Sequence, residues 1–268
     1  MSAEQPDSPG PVRYEVAGGV ATLTLADEAN RNALNRAVVE GLLDGLAAAQ
    51  ADPTVRVVVL TNTGRVFCAG ADLSEQSAAG SGASGARGLD ELLRAIMTSP
   101  TPVVGRIDGH AVAGGVGLVA ACDISLARDD VLLGFTEVRV GVIPAVISVV
   151  CLPKMRRGEA MEAFLRGTRF PATRAAELGL ITRAVPGDGL DAAVAEVVAD
   201  LQLGGPEALA GAKRLVHEVP GLSTDEGFRV TTAISAERFA SPEAAEGMAA
   251  YLGKRRPSWA PPEPDPEP

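Results

Sequence analysis

The run at residues 55–60, VRVVVL, is apolar at nearly every position. A strand with one wet face alternates apolar and polar residues, so a continuous run must be covered on both sides, as in a parallel sheet packed between helices. Just upstream the period changes. Val38, Leu42, Leu43, Leu46 and Ala49 recur at helical spacing, starting from Asn35, a good helix cap, and stopping at Asp52-Pro53. Ahead of these, residues 13–16 and 20–25 read as two short strands joined at Gly18-Gly19, a hairpin signal. Strand, helix, strand is the rhythm of an α/β fold.

The same alternation continues downstream. Residues 66–68 are extended, a loop occupies 69–73, and a Gly/Ser/Ala tract fills 77–88, a composition that reads as mobile. A helix is expected over 89–99, strands over 103–107 and 111–113, a short buried helix over 116–121, and strands over 124–127 and 131–135. Two strands and a helix thus occur around 55–99 and again around 103–121 without a sequence repeat of fixed period, which predicts a stacked β-β-α core. After Pro144 helices dominate, at 145–152, 158–165, 173–178, 190–203, 206–217, 224–239 and 242–252. The terminal PPEPDPEP is proline-rich and acidic and is expected to be disordered.

Composition removes several function classes. The 268 residues carry 24 Lys+Arg against 34 Asp+Glu, a formal charge of −10, which excludes a nucleic-acid binder, and with one Trp, two Tyr and six Phe there is little for bases to stack on. The first dozen residues, MSAEQPDSPGPV, lack the basic and apolar regions of a secretory signal. The longest mainly apolar stretch, 140–153, is interrupted by Pro144 and Ser148 and falls short of the ~20 residues that cross a bilayer. A cytoplasmic protein without membrane contact is therefore expected. Cys68, Cys122 and Cys151 form no C-x-x-C pair and read as reduced thiols packed as small apolar groups. With only His110 and His217, no multi-histidine metal site is possible and no metal is expected. His110 reads as a packed, hydrogen-bonded imidazole and His217 as a charge near a helix end. Residues 80–85, GSGASG, match G-x-G-x-x-G but follow no strand, so they do not read as a dinucleotide site.

Two segments remain that carry chemistry. Phe67-Cys68-Ala69-Gly70-Ala71-Asp72-Leu73 and His110-Ala111-Val112-Ala113-Gly114-Gly115-Val116-Gly117 both place glycine beside small residues at the end of an extended piece. Such turns expose backbone N–H groups, and glycine lets a substrate approach closely. Two N–H groups converging on one oxygen stabilise an enolate or tetrahedral anion, at about 3–4 kcal/mol per donor. Each segment alone also reads as a tight turn between strands.

Together and in this order they resemble the enoyl-CoA hydratase/isomerase (crotonase) family. The resemblance extends through Arg31-Asn32-Ala33-Leu34-Asn35, Ile107-Asp108-Gly109 to Cys122-Asp123-Ile124, Phe135 to Pro144, Gly179-Leu180-Ile181 and Glu246-Gly247-Met248 to Arg256, nearly the whole chain. It implies an α/β crotonase-type spiral of β-β-α repeats over 11–203. A helical C-terminal trimerisation region would follow over 204–257, between disordered ends at 1–10 and 258–268, and the assembly would be a homotrimer or a hexamer. By the family's pattern the amides of Ala71 and Gly114 would grip the thioester oxygen of an acyl-CoA. Arg31 and Ala33 would meet the phosphates and pantetheine, Ala69, Asp72 and Leu73 the adenine, and Tyr251 and Lys254 would close the nucleotide pocket, in some members from a neighbouring subunit. Coenzyme A enters as part of the substrate, and no separate cofactor is implied. Arg31 and the Lys254-Arg255-Arg256 run would supply the local positive charge that an acidic protein needs for a polyanion.

The chain departs from the hydratase pattern at one position. Family hydratases hold a water between two glutamates; here the first aligns with Gly117 and only the second, Glu137, is kept. A glutamate following an apolar strand and preceding Gly141-Val142-Ile143-Pro144 is expected to be half buried, with a raised pKa suited to acid/base work. An ion pair with Arg139 is the competing reading. The expected activity is hydration of a 2-enoyl-CoA with Glu137 as the single acid/base. A 3-enoyl-CoA/2-enoyl-CoA isomerase, a non-catalytic acyl-CoA-binding member and a thioesterase are the alternatives.

Overall fold

A computed structural model describes residues 10–72 and 88–261. Strands β1 (Val12–Ala17) and β2 (Val20–Leu25) form the expected hairpin, with Gly18 at φ 56° and Gly19 at φ 78° supplying the left-handed turn that such a two-residue loop requires. β2 then pairs in parallel with β3 (Val57–Asn62). The other sheet starts with β4 (Val66–Cys68). β5 (Val103–Ile107) follows β3 in the first sheet and β6 (His110–Val112) follows β4 in the second. β7 (Ile124–Arg128) and β8 (Leu132–Gly134) repeat that alternation, and β9 (Arg169–Pro171) and β10 (Arg183–Val185) finish the two sheets. The result is a six-stranded sheet ordered β1-β2-β3-β5-β7-β10 and a four-stranded sheet ordered β4-β6-β8-β9.

The apolar run is covered on both faces, as its composition requires. All of β3 is buried. Val58 and Leu60 face the main core with Leu23, Leu42 and Leu46, beneath the helix Arg36–Ala51. Val57 and Val59 point the other way, onto Val104, Leu126 and the Leu190, Val194 and Val197 stripe of the helix Leu190–Leu203. At the start of Arg36–Ala51 the Asn35 side chain accepts from the Val38 N–H at 2.9 Å, the cap its type predicts.

β9 and β10 were not foreseen. Each has three residues, none fully buried, too short and too wet to show a period. They exist because neighbours supply the pairing: β9 runs antiparallel to β8 and β10 parallel to β7. The helices after Pro144 include Ala145–Cys151, Arg157–Arg166 and Ala172–Glu177. The last three are Pro206–Glu218, Thr224–Phe239 and Pro242–Leu252, among which only Ala250 is buried. They are held by polar ties. The Glu243 carboxylate accepts from the Glu207 and Ala208 N–H groups at 2.9 and 2.8 Å, capping the helix Pro206–Glu218 from a distance, and Trp259 Nε1 donates to the Leu203 carbonyl at 3.0 Å.

The three cysteines are free and buried, and burial pushes the Cys68 and Cys122 thiols up to about 12, well away from the reactive thiolate range. His110 is packed as expected: its Nδ1 accepts from the Leu132 N–H at 2.9 Å, tying β6 to β8. His217 lies exposed in the last turn of Pro206–Glu218. Among the described residues no helix is long and apolar enough to cross a membrane.

Candidate active site

In the second sheet β4, β6 and β8 lie side by side and run the same way, with Cys68 opposite Ala111 and Val112 opposite Gly134. Their carboxyl ends therefore share one edge. There β4 delivers Ala69-Gly70-Ala71, β6 delivers Ala113-Gly114, and β8 delivers Phe135-Thr136-Glu137. Three segments far apart in sequence are thus neighbours at the end of a parallel sheet where ligands characteristically bind, at strand spacings of about 5 Å.

Ala71 forms a lone parallel bridge with Leu34. Leu34 donates to the Gly70 carbonyl at 2.8 Å and accepts from the Asp72 N–H at 3.3 Å, which turns the Ala71 N–H to the opposite side. Gly114 opens the helix Gly114–Ala121, where a first-turn N–H has no intrahelical acceptor and the helix dipole favours negative charge. Among the described residues neither N–H donates to another group. Gly70 lets the two segments meet: at φ +85° a Cβ there would lie 2.8 Å from the Ala113 Cβ and 3.3 Å from the Gly114 nitrogen.

One contributor carried no sequence signal. Ala113 sits at φ 51° and ψ −123°, a conformation that costs an L-residue about 1–3 kcal/mol and that clusters at functional sites. It is held there because its N–H donates to the Gly134 carbonyl at 3.0 Å while its own carbonyl accepts from Val116 at 2.9 Å. The kink between these two bonds aims the Gly114 N–H off the end of β6.

Glu137 follows buried Phe135 and begins the 3-10 turn Glu137–Val140. Its Oε2 is buried with no hydrogen-bond partner, and burial pushes its carboxyl above the ordinary glutamate range. The ion pair with Arg139 is not formed. Arg139 instead donates through Nε and Nη2 to the Arg166 carbonyl, at 3.1 and 2.7 Å. Position 117 is closed: a Cβ on Gly117 would fall 2.4 Å from Ile147 Cγ2 and 3.6 Å from Leu93 Cδ1. Where a second carboxylate would stand there is apolar packing.

Beside this edge lies the segment Arg31-Asn32-Ala33-Leu34. Ala69 donates to the Arg31 carbonyl at 3.1 Å, so Arg31, Ala33, Ala69, Ala71 and Asp72 come together. Asn32, a residue not singled out from the sequence, holds the segment in place. It is buried at φ 52°, its Oδ1 accepts from the Asp27 N–H at 2.8 Å, and its Nδ2 donates to the Val66 and Thr63 carbonyls at 2.8 and 3.3 Å. Left-handed backbone at a non-glycine residue is where asparagine is enriched, and that was the available signal. Asn32→Ala should cost about 3 kcal/mol, from three orphaned backbone groups and an alanine forced to positive φ, read as a lowered urea midpoint.

Leu73 lies outside the described residues, as do the 80–85 motif, nearly all of the 77–88 tract, residues 1–9 and residues 262–268, whereas Trp259, within the tail expected to be disordered, is packed and hydrogen-bonded to Leu203. Tyr251 and Lys254 stand apart from the Arg31 cluster within the chain. The helix Pro242–Leu252, which carries Tyr251 and precedes Lys254, is anchored through Glu243 to Glu207 and Ala208, and the following Trp259 bonds to Leu203 and Arg56, next to the amino end of β3, whereas Asn32 and Ala69 sit beyond its carboxyl end. In the basic run Arg255 is taken by Glu246 at 2.7 Å and Arg256 by the Pro261 carbonyl at 2.7 Å.

A family model described as enoyl-CoA hydratase/isomerase matches residues 15–262. The chain is 35% identical over 248 residues to a Thermus thermophilus protein named as an enoyl-CoA hydratase, covering 90% of this chain and 98% of that one. It is 30% identical over 253 residues to an enoyl-CoA isomerase/hydratase of Mycosarcoma maydis, covering 89% and 92%. Among solved structures, an enoyl-CoA hydratase from Mycobacterium avium superposes with a TM-score of 0.71 at 44% identity, covering 93% of this chain and 99% of that one.

Proposed function

Because this chain belongs to the enoyl-CoA hydratase/isomerase family, we propose that it hydrates a 2-enoyl-CoA, using the Ala71 and Gly114 amides as oxyanion donors and Glu137 as its single acid/base. The observation that carries the reading is the placement, at one sheet edge, of two N–H groups and a buried carboxylate oxygen that have no partner among the described residues. The amides take the thioester oxygen and hold the negative charge that develops when a nucleophile reaches C3. Glu137 removes a proton from water as the water oxygen bonds to C3, and returns a proton to C2 of the resulting enolate. One carboxylate serves both transfers in turn, and its raised pKa brings its two protonation states closer in energy near neutrality. Coenzyme A arrives as part of the substrate, with Arg31 near its phosphates, Ala33 near its pantetheine, and Ala69 and Asp72 near its adenine.

A second reading has its own support. The apolar closure of position 117 by Ile147 leaves no second carboxylate, and shuttling a proton from C2 to C4 of a 3-enoyl-CoA needs only one base. Absorbance of the conjugated thioester decides between them. Loss of conjugation on mixing with crotonyl-CoA is the expected result; gain with 3-hexenoyl-CoA and no change with crotonyl-CoA would make the protein an isomerase. Silence in both with binding retained would leave an acyl-CoA-binding member, and free thiol release a thioesterase.

We also propose assembly as a homotrimer or a pair of trimers through the C-terminal helices. Phe228 and Phe239 are each 70% exposed and Leu252 80% exposed in the single chain, which is more apolar surface than a helical end leaves wet without cause. Light scattering at micromolar concentration should give three or six times the chain mass; a monomer would contradict this.

A further inference from the structure

The helix Gly114–Ala121 has a second functional end. Its amino terminus carries the Gly114 amide, and its carboxyl terminus opens on a separate cavity of about 500 Å³ between Ala120, Ala121 and Cys122 and the helix Pro206–Glu218. The far wall is mainly apolar, with Met97, Val149, Val150, Val216 and Pro220, and the exposed imidazole of His217 stands beside it. The polar floor is cationic. Lys213 and Asp123 form an ion pair at 2.8 Å with side chains only 9% and 18% exposed, and Asp123 also accepts from the Val103 N–H at 2.7 Å, so its charge is already answered. Lys154 is different. Its ammonium donates to one backbone carbonyl, that of Cys122 at 3.0 Å, and burial holds it below the ordinary lysine range. Two lysines and one carboxylate thus line the base of the cavity, an excess of one positive charge.

We propose that this cavity binds a medium-chain monocarboxylate, its carboxylate on Lys154 beside Lys213 and its alkyl chain against Val149, Val150 and Val216. A carboxylate supplies the charge-assisted hydrogen bonds that the Lys154 ammonium lacks, and the alkyl chain removes exposed apolar wall from water. Val149 and Val216, 67% and 73% exposed in the single chain, border the opening of the cavity. Neither Lys154 nor Lys213 belongs to the oxyanion edge, so the carboxylate is expected to bind alongside acyl-CoA. Inorganic anions meet the lysines but not the wall and bind far more weakly.

Titration calorimetry with octanoate tests this on the whole protein. The expected result is saturable binding with one site per chain that persists in the presence of saturating butyryl-CoA and weakens about tenfold or more in Lys154→Met, the loss of one charge-assisted contact. Should Lys154→Met fail to fold, Val216→Asp places a like charge on the exposed wall and should weaken octanoate equally. Absence of saturable binding, affinity unchanged in either folded variant, or complete displacement by butyryl-CoA would overturn the proposal.

Discussion

On the proposed mechanism, replacing Glu137 with glutamine is expected to lower turnover of an enoyl-CoA by about 10²–10⁴-fold, the range for removing a positioned general acid/base, with little change in KM. The amide keeps the size of the side chain and removes only its capacity to carry a proton. The pH dependence of the parent protein follows from the same burial. Burial raises the Glu137 carboxyl pKa, so its base form is lost as the pH falls through a value above the ordinary glutamate range, and the rate of base-dependent steps drops with it. The stability effect has the opposite direction. The folded carboxyl binds its proton more tightly than the unfolded one, so ionisation costs stability as the pH rises from the ordinary glutamate value through the folded one. At neutral pH Glu137→Gln should therefore melt no lower than the parent despite its lost activity. An unchanged turnover number would remove Glu137 from the chemistry; a lowered melting temperature would remove the account of its burial.

Restoring a glutamate at position 117 destabilises the protein. In Gly117→Glu the new Cβ lies 2.4 Å from Ile147 Cγ2, in contact with a β-branched side chain that has little rotamer freedom, and a carboxylate must enter apolar packing. A loss of about 3 kcal/mol or more is expected in urea unfolding, from overpacking together with an unpaired buried charge. Adding Ile147→Gly vacates the space and should recover most of that loss, a coupling of the kind neighbouring sites show. The paired variant carries two carboxylates and is expected to hydrate crotonyl-CoA faster than Ile147→Gly alone. If Gly117→Glu folds as well as the parent, Ile147 does not close that position.

Much of this was legible before any coordinates. The apolar run of β3 dictated a sheet covered on both faces, and the helices Arg36–Ala51 and Leu190–Leu203 supply the two covers. Long, strongly periodic elements were placed to within a residue or two. β9 and β10 were missed because a three-residue strand contains no period, and its existence depends on β8 and β7 rather than on its own composition. At the site the two glycine-rich turns were legible by residue type, whereas Glu137 and the roles of the Ala71 and Gly114 amides came from the family resemblance. Ala113 was legible in neither way, since alanine is neutral everywhere and its strained backbone is imposed by bonds to Gly134 and Val116. The closure of position 117 was equally hidden: the family resemblance sets Gly117 where a hydratase would carry its first glutamate, and the packing against Ile147 is visible only in the structure.

On the proposed function, this edge holds the enolate of an acyl-CoA thioester and Glu137 alone moves the proton at C2. Proton exchange at C2 of butyryl-CoA in D2O, followed by NMR, tests it without depending on which enoyl reaction the protein performs. The prediction is exchange of one of the two C2 hydrogens by the parent protein and none above background by Glu137→Gln. Equal exchange by both, or no exchange by a parent that binds butyryl-CoA, would contradict it.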